Sequence, residues 1–140
     1  ALRKIYEIMS DKGVCILHTI GSILPPQPNA PFIQRYIFPD GEIPHESDMA
    51  KNIEKSGLIM SDRETLIRHY DKTLEAWLNR FLKNKHIVKD LFDQKFVKMW
   101  EFYLASCSAA FKYRDLVVFQ YQLVKNFDAI PSNRRDYIYS

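Results

Sequence analysis

The sequence predicts an α/β fold, and two observations carry that prediction. The first is a helical pattern over residues 1–9, followed by a glycine turn and a short apolar run at residues 14–20, which together make half of an α/β unit. The second is a pair of long segments with apolar residues at the helical period, followed by a β-branched and aromatic run at residues 116–124. With 140 residues, the chain has the size of one ordinary domain.

The first predicted helix carries apolar side chains at positions 2, 5, 6, 8 and 9. No N-cap residue stands ahead of it, and the chain does not open with Met. We therefore expect Ala1 to lie inside an element of a longer protein. Asp11, Lys12 and Gly13 predict the end of this helix, with Gly13 in the left-handed cap conformation.

Residues 14–20 form a continuous apolar run with β-branched members, which is typical of a strand buried on both faces in a parallel sheet. His18 lies near the carboxyl end of this run, where open α/β sheets place their ligands. A single histidine at such a position is more often a hydrogen-bonded core residue than a functional one. Taken alone, the local pattern favours a structural role for His18.

The middle of the chain predicts connections and two further elements. Residues 21–31 contain four prolines and predict an irregular connection. The aromatic segment 32–38 ends at a Pro-Asp-Gly turn signal at residues 39–41. A helix is predicted at about residues 46–55, ended by Ser56 and Gly57, and a strand is predicted at residues 58–66.

Two strong amphipathic helices and a strand make up the last part of the chain. A shorter helix at about residues 86–92 joins the two, the strand lies at residues 116–124, and the polar tail from Asn126 is expected to be loosely held. Spacing alone favours a core role for the tyrosine that opens the first apolar face. The apolar positions are Tyr70, Leu74, Trp77, Leu78, Phe81 and Leu82 in the first helix, and Phe96, Met99, Trp100, Tyr103, Leu104, Cys107 and Phe111 in the second.

Composition excludes several classes of function. The net charge of +3 comes from 20 basic and 17 acidic residues spread along the chain, which argues against a nucleic-acid partner. The two cysteines, Cys15 and Cys107, have no metal or redox spacing, and with no signal peptide in view we expect reduced thiols in a cytoplasmic protein. No metal site or phosphate loop is predicted, and no apolar run approaches the roughly 20 residues of a membrane span. The remaining histidines, His45, His69 and His86, are expected on the surface.

Several stretches resemble cyclopropane fatty acid synthases and the related mycolic acid cyclopropane synthases. Each motif is modest, but their order and spacing along nearly the whole chain are specific. They are LHTIG at 17–21, YIFPDGEIP at 36–44, HYDKTLEAW at 69–77, FVKMW at 96–100, YLASC at 103–107, AAF at 109–111, QYQL at 120–123, AIP at 129–131 and RDYI at 135–138.

The resemblance implies a lipid methyltransferase that uses S-adenosylmethionine. The family transfers a methyl group to the cis double bond of an unsaturated acyl chain, usually in a phospholipid, and loss of a proton from the methylated carbocation closes a cyclopropane ring. It also implies a bicarbonate ion as the base. Carried over by motif, its ligands here are the His18 side chain, the Ile20 backbone N–H and the Tyr70 hydroxyl. These groups are donors that suit a small anion in an apolar site.

The resemblance also assigns the aromatic helical faces to substrate. Five residues match positions that line the acyl-chain pocket of the mycolic acid enzymes, although each is equally compatible with an ordinary core position. These are Phe38, Leu74, Tyr103, Cys107 and Phe111.

The fold implied by the resemblance is the C-terminal portion of a Rossmann-like class I methyltransferase. Residues 1–68 would be the end of the sheet region, residues 69–113 a helical lipid-binding insertion, and residues 114–140 the last strand and tail. The family's glycine-rich donor loop, its acidic bicarbonate ligand and a cysteine from the same half are absent from this sequence. We therefore expect the donor site in a missing N-terminal half, an unpaired sheet edge, and no activity for the isolated chain.

The expected partners are phospholipid acyl chains and a peripheral membrane surface, at the inner membrane. A second copy of the chain (a homo-oligomer) and the missing half are both candidates for the unpaired edge. Two other functions stay open. One is a related methyltransferase that adds a methyl branch or modifies another small apolar molecule, and the other is a non-catalytic lipid-binding module. Analysis of the lipid product would distinguish the related methyltransferase from a cyclopropane synthase. The upstream coding sequence would distinguish a truncated enzyme from a lipid-binding module.

Overall fold

The computed structural model describes residues 1–25, 28, 30–37, 39 and 41–139. The predicted helices and strands occur in the predicted order, and a further short helix that the sequence did not predict forms at Pro31–Tyr36. Two short 3-10 turns, Phe127–Ala129 and Arg135–Ile138, follow the last strand. The main elements are α1 (Leu2–Ile8), β1 (Val14–Ser22), α2 (Pro31–Tyr36), α3 (Glu46–Ser56), β2 (Ile59–Leu66), α4 (His69–Lys83), α5 (Lys85–Leu91), α6 (Gln94–Tyr113) and β3 (Leu116–Val124).

The three strands form one sheet in the order β1-β3-β2, and β3 is antiparallel to both neighbours. Val14 pairs with Val124 at one end of β1, and Ser22 pairs with Leu116 at the other. β1 and β2 therefore run in the same direction with β3 between them. The expected parallel pairing of residues 14–20 is wrong within this sheet, because the last strand inserts between the two strands that share a direction.

The two faces of β1 are unequally covered, so the expectation of a strand buried on both faces is also wrong. Cys15 and Leu17 are half-buried against α1 and α3. Ile16, on the other face, is 61% exposed, and His18 is exposed as well. Among the described residues, helices cover the α1–α3 side along β1 and leave most of the opposite side open.

The larger core lies between β3 and the helices α1 and α3. Phe119, in the middle of β3, is 0% exposed and lies directly beneath Gly21 of β1. A Cβ atom on Gly21 would come within 2.5 Å of the Phe119 ring and 3.0 Å of the Pro44 carbonyl oxygen. Glycine at position 21 is thus required by the close approach of the two strands. The buried members of this core are Met49, Ile53, Leu58, Val117, Phe119, Tyr121 and Leu123.

A second core forms on the opposite face, where α4 and α6 pack together over one end of the sheet. Val118 is the residue of β3 that it buries, and Ile20 pairs with Val118 across the sheet. Its buried members are Leu74, Leu104, Phe111 and Val118, and the half-buried side chains packed on them are Leu66, Tyr70, Leu78, Phe81, Trp100, Tyr103, Cys107 and Leu116.

Helix ends follow the local sequence in two places and depart from it in one. Gly57 caps α3 with a φ of 82°, and the Asp93 side chain accepts the Phe96 N–H at 2.6 Å at the start of α6. Gly13 does not take the expected left-handed conformation. α1 ends at Ile8 with an extended Met9, and the Gly13 N–H instead closes a turn onto the Ser10 carbonyl.

The tail is tied to the sheet, so the expectation of a loosely held segment is wrong. Arg135 donates two hydrogen bonds to the Asp62 carboxylate, at 2.7 and 3.0 Å. The Tyr137 hydroxyl donates to the side-chain oxygen Oε1 of Gln122 at 2.8 Å, and the side-chain nitrogen Nε2 of Gln122 donates to the Ser61 hydroxyl at 2.9 Å. Within the described ranges, no helix combines the length and apolar character needed to cross a bilayer.

Candidate functional site

His18 lies on the open face of β1 and forms one end of a polar row across the sheet. It is in register with Gln120 of β3, which is in register with Glu64 of β2. The Gln120 amide nitrogen lies 3.0 Å from Nδ1 of His18. Of the three side chains His18 is the exposed one, so its free edge faces outward from the sheet.

This hydrogen bond determines what the His18 ring can offer to a ligand. With the Gln120 amide as donor, Nδ1 is the acceptor and the ring proton of the neutral histidine is on Nε2. An Nε2–H directed away from the sheet is a donor for an anion. Gln120 is therefore a site residue that sequence reasoning missed. The signal was present, because residues 120 and 122 are glutamines within an otherwise apolar strand.

The three proposed bicarbonate ligands lie on the same side of the sheet, and the described residues show no hydrogen bond between them. His18 and Ile20 share the open face of β1, two residues apart. Tyr70 stands in the first turn of α4, in the apolar core that also buries Val118, the pairing partner of Ile20. Among the described residues, Gln120 and not Tyr70 is the side chain hydrogen-bonded to His18.

The residues assigned to the acyl pocket gather in the second core. Leu74 and Phe111 are buried there, and Tyr103 and Cys107 are half-buried beside them. The Tyr70 ring lies 5.1 Å from the Phe111 ring, centroid to centroid. One face of α6 and one face of α4 thus form a continuous apolar wall that includes Tyr70. Phe38, the fifth assigned residue, lies outside the described residues.

Two polar side chains of this wall, Tyr103 and Cys107, are held neutral. Burial raises the pKa of Tyr103 to about 12, with smaller contributions from the charge of and hydrogen bond to Cys107 and from the charge of Tyr70. Burial also raises the pKa of the Cys107 thiol, and its hydrogen bond with Tyr103 opposes that shift in part. Both groups are therefore protonated at neutral pH. A neutral wall suits hydrocarbon and makes Cys107 a poor nucleophile.

The other histidines and the two cysteines form no second catalytic or metal site among the described residues. His69 and His86 are exposed, and His45 is partly buried at the bridge it makes with Ser22. Both cysteines are free thiols. Within the part of the chain that the structure describes, no three side chains of the metal-binding types come together.

Comparison with known proteins identifies what this arrangement resembles. A family model described as mycolic acid cyclopropane synthetase matches residues 2–121. The chain is 35% identical over 112 residues to the cyclopropane-fatty-acyl-phospholipid synthase of Escherichia coli, covering 80% of this chain and 29% of the relative. It is 41% identical over 81 residues to a Pseudomonas putida protein named probable fatty acid methyltransferase, covering 58% of this chain and 21% of the relative.

A solved structure has the same fold. The crystal structure of mycolic acid cyclopropane synthase CmaA1 complexed with SAH and CTAB superposes with a TM-score of 0.79 at 24% identity, covering 87% of this chain and 47% of that one. The predicted α/β methyltransferase fold is thus confirmed. The chain spans less than a third of the length of the two curated relatives.

Proposed function

This chain belongs to the mycolic acid cyclopropane synthetase family, and on that premise we propose that the full-length protein converts unsaturated phospholipids to cyclopropane lipids with S-adenosylmethionine as methyl donor. The observation that carries the proposal is the adjacency of a neutral apolar wall and a hydrogen-bonded histidine on one sheet face. The wall contains Leu74 and Phe111, and the histidine is His18. The phospholipid substrate is suggested by the name of the Escherichia coli relative.

The residues of this chain do not fit the methyl donor by themselves. Its four glycines lie at positions 13, 21, 41 and 57 and form no glycine-rich loop. Gly21 packs against Phe119, and Gly57 caps α3, so neither is free to bring backbone close to a ligand. We propose that the donor site lies on residues outside this chain.

A bicarbonate site does fit the residues present, as a proposal. The imidazole Nε2–H of His18, the backbone N–H of Ile20 and the hydroxyl of Tyr70 are donors that would hold the ion without a metal. When bound, the anion would supply charge stabilisation for a nearby cation and a base for its proton. The chain's own contribution is to orient these donors, with Gln120 holding the His18 ring in one tautomer.

The apolar wall would position the acyl chain and keep water away. A carbocation formed at a double bond is captured by any water that reaches it, so the proposed reaction requires a dry site. Leu74 is 3% exposed and Phe111 is 4% exposed, and both lie in the same core as Tyr70. We propose that acyl carbons lie along this surface, with the double bond toward His18 and Ile20.

The test is product analysis with the full-length protein. It is incubated with methyl-labelled donor and vesicles of an unsaturated phospholipid, and the lipid products are separated. A cyclopropane product, abolished by His18→Ala, supports the proposal. A methyl-branched product would instead support the alternative reaction, which the 41% identity to the probable fatty acid methyltransferase favours. Lipid binding without any labelled product would indicate a non-catalytic module.

A further inference from the structure

A cavity of about 220 Å³ opens at the end of the sheet where β1 and β2 finish and β3 begins. Its lining is unusual in combining three cations with large apolar side chains. The cations are Arg68, Lys112 and Arg114, which we call the cationic rim. None of the described residues that line the cavity is acidic.

Arg68 is held in a position that its charge and backbone both disfavour. It is the N-cap residue of α4, with a φ of 60° and a ψ of 3°, a left-handed conformation that side-chain-bearing residues rarely adopt. At the N-cap position, the positive end of the α4 dipole favours an anion and not a cation. Among the described residues, no carboxylate lies within ion-pair distance of Arg68. Local helix stability therefore does not explain this arginine.

The other two cations have only loose acidic neighbours. Lys112 Nζ lies 3.5 Å from a Glu75 carboxylate oxygen, and both side chains are close to half-exposed. Arg114 Nε lies 3.9 Å from Asp115, whose carboxylate already accepts a 2.6 Å hydrogen bond from Ser22. Exposed pairs of this kind are weak and exchange readily with a competing anion. Both side chains thus remain available to a ligand.

Apolar side chains stand beside the rim. Ile67 is 55% exposed and Tyr113 is 75% exposed, and Ile23 lies next to them in the same lining. Cations interspersed with exposed aliphatic and aromatic side chains are typical of protein surfaces that meet a lipid headgroup layer. A soluble anion would gain nothing from these apolar neighbours.

The cavity and the apolar wall share one residue. Phe111 lines the cavity and is also a buried member of the core that contains Tyr70 and Leu74. His18 and Ile23 are five residues apart along β1 and its extension, roughly 16 Å at about 3.3 Å per residue. That separation is on the scale of the saturated stretch between a glycerol phosphate and a mid-chain double bond.

We propose that the cationic rim binds the phosphodiester of a membrane phospholipid whose acyl chain lies along the apolar wall. The rim would anchor the protein to an anionic bilayer and set the depth at which the acyl chain enters. This inference rests on the proposed function and adds to it the site of headgroup recognition.

The test is vesicle co-sedimentation of the 140-residue chain with a triple variant, Arg68→Asn, Lys112→Gln and Arg114→Gln. Asn tolerates the left-handed backbone, so that change removes the charge and relieves strain. A control variant, Lys12→Gln, Lys51→Gln and Lys95→Gln, removes the same charge from exposed positions that do not line the cavity. Thermal melting checks that both variants fold.

Binding to vesicles of dioleoylphosphatidylglycerol should fall roughly a hundredfold in the rim variant, from the loss of three cations at the surface. The control should change by no more than about threefold, since its lysines lie away from the contact. Equal losses in both variants would mean that net charge alone drives binding and would overturn the proposal. Inorganic phosphate is the second probe, and displacement of the chain from vesicles by millimolar phosphate would assign the rim to a soluble anion instead.

Vesicle binding needs neither donor nor turnover, so it can fail independently of the reaction. In the full-length protein, the rim variant should raise KM for phospholipid vesicles and leave kcat unchanged. If no methyl transfer occurs and the rim still binds vesicles, the proposed reaction is wrong and the lipid site stands. If methyl transfer proceeds with an unaltered KM, the rim proposal alone is wrong.

Discussion

The side-chain amide of Gln120 reaches across from β3 to Nδ1 of His18 at 3.0 Å, linking two residues that are 102 positions apart in the chain. The bond crosses the sheet between paired residues on the open face. It leaves Nε2 of the histidine as the proton-bearing nitrogen, available to a ligand. The proposed reaction thus depends on a residue that need not touch the substrate.

Replacing Gln120 by Leu should free the His18 ring and lower kcat of the full-length protein by roughly 10–100-fold, the range seen when partners behind a ligating histidine are removed. The ¹⁵N spectrum of His18 in the 140-residue chain should change from a single tautomer to a mixture. Gln120→Glu, which can only accept from the ring, should move the proton to Nδ1. Gln34→Leu, at an exposed position, is the control. An unaltered tautomer in both Gln120 variants would contradict the assignment.

Tyr70→Phe should separate a role of the hydroxyl from a role of the ring. The ring packs 5.1 Å from Phe111 and 5.9 Å from Trp77, and the Phe variant keeps both contacts. We expect an unchanged melting temperature and a fall of about a hundredfold in kcat, since one donor to a charged group is lost. If kcat is unaffected at equal stability, Tyr70 is only a core residue.

Gly21→Ala should lower the free energy of unfolding by roughly 1–3 kcal/mol, because the added methyl group overlaps a ring with no room to move. The ring belongs to Phe119, and the second obstacle is the Pro44 carbonyl. Urea titration of the chain measures the loss. In a Phe119→Leu background the same glycine change should cost less, and additive losses would show that the two residues are not in conflict.

Stability should decline in alkaline solution because of Tyr103. Its pKa is about 12 in the folded chain against 10.0 ordinarily, so the folded state keeps a proton that the unfolded state has lost. The stabilisation from this group is complete below pH 10 and is lost as pH rises toward 12. Denaturant midpoints across that window should fall less steeply for Tyr103→Phe than for the wild type. Tyr113→Phe, at an exposed position, should match the wild type.

The 140-residue chain should give no heat of binding when S-adenosylmethionine is titrated into it calorimetrically. Gly21 is committed to packing and Gly57 to capping, and the four glycines form no glycine-rich loop that could hold the donor. The full-length protein, tested in parallel, should bind. Binding at micromolar concentration by the 140-residue chain would place a donor site within it and would contradict the proposed division.

The sequence predicts those features of the fold that short segments determine by themselves. Residues 116–124 were predicted as a strand with the observed bounds, and Gly57 as the end of α3, because side-chain period and cap geometry are properties of short segments. The direction of strand pairing and the coverage of each face were not predictable in this way. The pattern of residues 14–20 predicts a strand buried on both faces. The elements that lie beside a strand, however, are set by distant parts of the chain.

The candidate site likewise contains residues that a local pattern groups together and residues that only the sheet register brings together. The helical repeat correctly grouped Tyr103, Cys107 and Phe111 on one side of α6, since i and i+4 positions must share a face. It carried no information on what His18 would meet. Gln120 is paired with it only through sheet register, and sequence separation hides such pairs from any local pattern.

The central position of β3 has a consequence for how the chain folds. β1 and β2 both bond to β3, which comes last in the chain. Within this chain, neither strand can pair with β3 until residues 116–124 have left the ribosome, so this three-stranded arrangement cannot form progressively during synthesis. Its formation should be a late and cooperative event with long-range loop closure, and nascent chains stopped before Leu116 should be sensitive to proteases.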